Sequence, residues 1–462
     1  MKESQPNVIL INCDDLGYGD LSCYGSTLNR TPHIDALAAD GLRLTDFYMA
    51  SPVCSASRAA MMTGCYPPRV GFGERPVLFP GMPYGLNPDE KTVASYLKDA
   101  GYATKIVGKW HCGDQEAFLP TSHGFDEYFG LPYSNDMGRQ ADRLESPPLP
   151  LLRDKTVIQQ QPDQRGLTER YTDECLQFIN ANQEQPFFLY LAHMYVHLPL
   201  FVPKQFLDRS KNGAYGGAVE CIDWSVGVLV DQLRKLNLLD NTLIIFTSDN
   251  GSRARDGGGS NAPCRGTKAT TLEGGQRVPC IFHWPAEITP NQTNASIASS
   301  IDLLPTLCGL AGVDVADERS IDGVDLGNFL RGESESSGRD SFFYFTGRAL
   351  QAVRVGDWKL RVDGSSIWSK APSEPIAELY NLKDDVGETH NCYDSRPEVV
   401  QELSAAMTAM AEELGDRLTG VVGFGERASG YIEDAKPLTE YDPEHPYMIA
   451  MYDLLDMPTL SG

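Results

Sequence analysis

Nowhere does the sequence run to the ~18 to 20 consecutive apolar residues that a membrane-spanning helix needs, so no spanning helix is expected. The N-terminus, MKESQPNVILIN, is polar for six residues and then apolar for only five, too short for the apolar core of a signal peptide. This predicts a cytoplasmic protein, or a periplasmic or secreted one whose leader has been removed. Basic residues are scarce: 39 Lys plus Arg face 63 Asp plus Glu, a net charge of −24. Such a field repels nucleic acid and acidic membrane faces, and any anionic substrate must meet a local basic cluster. The 11 cysteines are odd in number and lack paired spacing, which excludes a full disulfide framework and predicts mostly buried thiols. No internal repeat is present. With 462 residues, 41% hydrophobic and 22% charged, the chain is neither fibrous nor disordered and can bury at least one large core.

Short apolar runs alternate with amphipathic stretches. Asn7 to Asn12, Ala103 to Val107, Pro186 to Ala192, Thr242 to Thr247 and Val278 to Trp284 read as strands buried on both faces. Between them, Thr31 caps a helix with Pro32 at its first position and Gly41 beyond its end. Thr92 to Ala100 ends in Gly101 in the same way, and further helices fit Thr168 to Asn182, Gly217 to Leu236 and Ile301 to Leu310. The alternation predicts an α/β fold with a mostly parallel central sheet sandwiched by helices, whose ligands bind beyond the carboxyl ends of the strands. A polar segment after Leu330 marks a boundary, giving a catalytic unit over residues 1–332 and a smaller α+β unit over 333–462. In the second unit, β-rich patches (Ser341 to Phe345, Ala352 to Val355, Trp358 to Val362) and one helix, Pro397 to Leu414, suit a small antiparallel sheet. From Gly420 a Gly-, Pro- and acid-rich tail is expected to wrap the surface.

Two strand tips carry chemistry. The first strand ends in Asp14-Asp15 and the fourth in Asp249-Asn250, four oxygen donors that favour Ca²⁺ or Mg²⁺ over Zn²⁺; no His or Cys cluster at zinc spacing competes. Turn capping is the plain alternative for either pair alone. Cys54 precedes a short helix-like run closed by Gly64, which places its side chain at a helix N-terminus with Arg58 on the same face. A thiol there is either a nucleophile or a small buried residue.

These residues resemble a family. Cys54-Ser55-Ala56-Ser57-Arg58, followed by Met62-Thr63-Gly64, is similar to the signature of the formylglycine-dependent type I sulfatases of the alkaline phosphatase superfamily, in particular its arylsulfatase A and galactosamine-6-sulfatase branch. Related elements recur in Asp14-Asp15-Leu16-Gly17-Tyr18-Gly19-Asp20, Thr31-Pro32-His33-Ile34-Asp35, Gly108-Lys109-Trp110-His111 and His197-Leu198-Pro199. They continue in Ser248-Asp249-Asn250-Gly251, Gly266-Thr267-Lys268 and Glu273-Gly274-Gly275-Gln276-Arg277. The closing motif resembles Glu378-Leu379-Tyr380-Asn381-Leu382 with Asp385 and Glu388.

The resemblance implies that a maturation enzyme oxidises Cys54 to formylglycine, the nucleophile, and that one Ca²⁺ ion is held by Asp14, Asp15, Asp249 and Asn250 beside residue 54. It implies that Arg58 and Lys109 hold the modified side chain and that His111 is a base. His197 and Lys268 bind sulfate and protonate the leaving alcohol. The expected activity is hydrolysis of a sulfate ester, of a sulfated carbohydrate or an aryl alcohol. A phosphodiester or phosphonate ester hydrolase of the same superfamily is the second reading, opposed by Asn250 where such relatives place His. A sulfate-ester binder with an unconverted Cys54 is the third. One position departs from the pattern: Ala56 stands where Pro is usual. Weaker substrate candidates are His193, Asp136 and Arg139, and Arg253 and Arg255 read as solvated loop charges beside the metal pair.

Overall fold

The computed structural model describes residues 5–140, 143, 146–254, 258–315, 319–369 and 374–444; Arg255 and the last 18 residues of the second expected unit lie outside them. Seven strands build the part of the main sheet that matters for the site: β1 (Asn7–Cys13), β2 (Leu42–Tyr48), β3 (Ala103–Gly108), β4 (Glu127–Gly130), β5 (Phe187–Ala192), β6 (Thr242–Ser248) and β7 (Arg277–His283). Across the sheet the order is β2-β7-β6-β1-β5-β3-β4. Strands β6, β1, β5, β3 and β4 run parallel. Short strands extend both edges: Gln292–Asn294 and Ala298–Ser299 pair with β2, and Pro150–Arg153 with Thr156–Gln160 continues beyond β4.

All seven residues of β1 are buried, and they alternate between two cores. Ile9 and Ile11 pack with Ile34 and Leu37 of α1 (Pro32–Ala39), Leu167 and Tyr171 of α4 (Leu167–Ala181), and Ile222 and Leu229 of α5 (Gly213–Lys235). Val8 and Leu10 pack on the other face with Ala59 and Met62 of α2 (Cys54–Thr63), Leu97 of α3 (Val93–Asp99) and Leu304 of α6 (Leu303–Ala311). A strand buried at every position is stable only between two such layers.

The expected strands all form, but the Val278 to Trp284 run, observed as β7, is antiparallel to both β2 and β6. A strand buried on both faces has the same sequence pattern in either direction. The second sheet is antiparallel throughout: β8 (Ser341–Thr346), β9 (Ala349–Val355), β10 (Trp358–Arg361) and β11 (Glu378–Asn381), with α7 (Pro397–Leu414) packed against β9 and β10. The tail returns to the first unit, where Gly430–Tyr431 pairs with Tyr84–Gly85 and Arg427 bridges to Glu90. No helix among the described residues is long and apolar enough to cross a membrane. All eleven cysteines are free, nine of them buried.

Candidate active site

Parallel pairing sets the site. Cys13 lies opposite Ser248, and Asn12 and Gly108 both lie opposite Ala192, so β1, β6, β5 and β3 end at nearly one level. The residues that leave these ends are Asp14-Asp15, Asp249-Asn250, His193 to His197 and Lys109 to His111. Asp15 and His111 adopt positive φ (61° and 65°), a conformation uncommon outside glycine and found more often at functional sites. Facing them, α2 begins at Cys54 behind Val53, which offers no side-chain cap. The positive end of the helix dipole therefore lies at residue 54.

Ion pairing is dense and buried. Cys54 Sγ lies 3.3 Å from Asp14 Oδ1 and 3.4 Å from Lys268 Nζ. Lys268 Nζ also sits 2.8 Å from Asp15 Oδ1, and Lys109 Nζ donates to Asp14 Oδ2. Arg58 Nε donates to Asp249 Oδ2 at 2.8 Å and its Nη1 to the Lys109 carbonyl at 2.8 Å. Three carboxylates thus face three cations. Burial alone would raise the Asp14 carboxyl, but Lys109, His197, Arg58 and Lys268 outweigh it and hold it well below the usual carboxylate range. For Asp249 burial and neighbouring Asp14 prevail and push the carboxyl up. Burial, Asp14 and Asp249 likewise raise the Cys54 thiol far above its ordinary value, so this cysteine is a poor thiolate nucleophile.

Hydrogen bonding to a carbonyl fixes one ring hydrogen on each of two histidines. His111 Nε2 lies 3.0 Å from the Leu78 carbonyl, which only accepts, so Nε2 carries the hydrogen. Its buried Nδ1 has no partner and keeps a free lone pair. Burial, Lys109 and Arg58 drive its pKa well down, so the ring is neutral. His197 Nδ1 donates to the Leu198 carbonyl, and Nε2 lies 3.8 Å from Asp15 Oδ2.

The donors suit a hard divalent cation. Ligand atoms of Asp14, Asp15, Cys54 and His197 lie within 4.8 Å of one another. Asn250 Oδ1 is buried without a partner while Nδ2 donates to Asp15 Oδ1 at 2.7 Å, an orphaned acceptor of the kind a metal ion satisfies. In this structure Asp249 is committed to Arg58 and to the Asp15 N–H, 3.2 Å away, and stands outside the tightest cluster.

A cleft of about 690 Å³ opens above these groups, lined by Cys54, His111, His197 and Lys268 and by Asp136. His193 and Arg139 do not line it. His193 is fully buried, and burial lowers its pKa to about 3, so its ring is neutral. Arg139 is tucked under the tail with its guanidinium 5.1 Å from the Tyr441 ring. Conversely Arg253, expected to be a solvated charge, lines the cleft, as do Arg143, Phe79 and Trp368. These come from four separate loops and share no sequence pattern.

Residues 6–313 match the family described as Sulfatase, and residues 267–414 match N-sulphoglucosamine sulphohydrolase, C-terminal. The chain belongs to the sulfatase family. It is 38% identical to arylsulfatase A of Bos taurus, covering 93% of this chain and 92% of the relative. It is 40% identical to N-acetylgalactosamine-6-sulfatase of Sus scrofa, covering 77% and 71%. Among solved structures, Ps i-CgsB in complex with k-i-k-neocarrahexaose superposes with a TM-score of 0.78 at 30% identity, covering 88% of this chain and 93% of that one. This sulfatase is a sulfuric ester hydrolase with the α/β fold of its relatives.

Proposed function

We propose that the enzyme hydrolyses a sulfate ester of a sulfated carbohydrate, and aryl sulfates as smaller substrates, after a maturation enzyme has converted Cys54 to formylglycine. When present, formylglycine supplies a hydrated aldehyde as nucleophile and Ca²⁺ supplies Lewis-acid polarisation of the sulfonyl oxygens. Asp14, Asp15, Asp249 and Asn250 would hold the ion beside residue 54. Arg58, buried between Asp14 and Asp249, and Lys109, buried against Asp14, keep residue 54 and the sulfate in register. His111 takes a proton through its free Nδ1. Lys268 grips a sulfate oxygen, and His197, whose Nδ1 is committed to Leu198, delivers a proton to the leaving alcohol from Nε2 of its doubly protonated ring. A sugar alcohol leaves as a strongly basic alkoxide unless an acid protonates it. The boundary near residue 332 accords with the start of the antiparallel sheet at Ser341, although the tail folds back on the first unit.

The observation that carries this reading is Cys54 Sγ set between Asp14 and Lys268 at the floor of the cleft. It is tested by mass spectrometry of the peptide holding residue 54, combined with turnover of sulfate and phosphate esters before and after chelation. We expect the aldehyde mass, preference for sulfate esters and loss of turnover on chelation. Full activity with an unmodified thiol, or after exhaustive chelation, would refute it.

A further inference from the structure

The sulfate-gripping groups occupy only the floor of the cleft, whose 690 Å³ is the size that encloses a whole small-molecule ligand rather than one sulfate group. Its mouth is built in part by the second sheet. The loop leaving β10 is fastened at two points before it reaches the cleft. Gln351 of β9, fully buried, donates from Nε2 to Ser365 O at 2.9 Å and to Ser365 Oγ at 2.8 Å, and its Oε1 accepts from Thr271 Oγ1 at 2.8 Å. Ile367 N then donates to the carbonyl of Ala269, the residue after Lys268, at 3.3 Å, and the Ile367 side chain packs on the core. The next residue, Trp368, lines the cleft with 57% of its surface exposed. Phe79, also on the cleft wall, is 51% exposed. Other exposed aromatics, Phe424 and Tyr431, do not line it.

A large indole held on an anchored backbone yet left bare to water at a binding cleft is an unfilled contact. A pyranose ring presents a face of C–H groups bordered by hydroxyls, and that face matches the flat, electron-rich surface of an indole. We infer that Trp368 is a specificity-determining residue, a platform on which a sugar ring of a saccharide substrate stacks while the sulfate is held below by Lys268 and its neighbours. The inference rests on the saccharide reading above and assigns the recognition of that saccharide to the second sheet.

The test compares Trp368→Ala and Trp368→Phe with the unaltered enzyme. Substrates are 4-nitrophenyl sulfate and a panel of sulfated oligosaccharides from chondroitin 6-sulfate and carrageenan. For the oligosaccharide turned over best, Trp368→Ala should raise KM on the order of tenfold, the size of one lost aromatic contact, with kcat little changed. Trp368→Phe should restore most of the loss, and 4-nitrophenyl sulfate should respond less than about twofold because it reaches only the floor. As a readout independent of turnover, the oligosaccharide should shift the fluorescence of the unaltered protein toward the blue, inorganic sulfate should not, and the shift should vanish in Trp368→Phe. An unchanged oligosaccharide KM in Trp368→Ala, or equal KM increases on both substrate types, overturns the platform. Aryl sulfate turnover without any oligosaccharide turnover or fluorescence shift overturns the saccharide reading itself and the platform with it.

Discussion

At the scale of single residues, the hydrogen bonds of His111 and His197 to backbone carbonyls suit the proposed roles of base and acid. His197→Ala should slow a sugar sulfate by about 10² or more, the usual worth of general acid help, while an activated aryl sulfate, whose phenolate leaves unaided, loses far less. Arg58→Ala removes positioning and charge stabilisation from both and should harm both alike. The ratio of kcat/KM on the two esters decides it, and equal losses for His197→Ala would transfer the acid role to Lys268. Ala56 offers a second case. Its N–H, which has no acceptor within the helix because it lies in the first turn, donates to Pro76 O at 3.0 Å and so ties down the segment leading to Phe79. Ala56→Pro should raise the converted fraction of Cys54 in a host that prefers Pro at this position. The lost hydrogen bond costs about 1 kcal/mol and should lower Tm by about 1 °C. Both are measurable on one preparation, by peptide mass and by thermal unfolding, and an unchanged Tm would count against this hydrogen bond.

Among the elements, the approach of β3 to β5 is a tight constraint on the site. Gly108, the last residue of β3, has φ +113°, and a Cβ there would sit 1.8 Å from Ala192 O. That close approach lets Lys109 N donate to the same carbonyl at 2.7 Å and aims the Lys109 side chain at Asp14. Gly108→Ala combines an unfavourable dihedral with a backbone clash. It should abolish turnover through displacement of Lys109 and lower Tm as well; retention of more than about a tenth of kcat would show that the strand end can shift without losing the site.

Over the whole molecule, the two sheets are joined by buried charges rather than by apolar contact alone. Glu273 accepts from Tyr48 and Tyr344 hydroxyls at 2.6 and 2.7 Å and pairs with Lys359 at 2.9 Å, and Lys359 reaches Glu388 of the closing motif at 2.9 Å. Burial would raise the Glu273 carboxyl, but Lys359, Arg277 and Arg354 outweigh it and hold it below the usual glutamate range. A depressed carboxyl stabilises the fold above its unfolded value and loses that contribution as pH falls through it, so the joint should weaken below about pH 4.5. Glu273→Gln should cost about 3 kcal/mol near neutral pH, with the gap to the unaltered protein narrowing below pH 4. Denaturant unfolding at a series of pH values checks this, and a gap constant with pH would refute it.

Much of this was legible locally. Strands β1, β3, β5 and β6 announce themselves because burial on both faces favours short, mostly apolar runs, and the acidic pairs follow the ends of β1 and β6 directly. That Cys54, Arg58, Lys109, His111 and Lys268 gather at one place was legible because each lies inside a compact motif. The direction of β7 was not, since its pattern is blind to polarity, nor was β2, whose mixed burial breaks the apolar run. What only the tertiary structure decided is which solitary side chains meet. His193 and Arg139 do not line the cleft, while Arg253, Phe79 and Trp368 line it from loops far apart in the chain. A motif fixes the chemistry of neighbours in sequence, whereas the wall of a cleft is assembled from residues whose only relation is the packing of the elements that carry them.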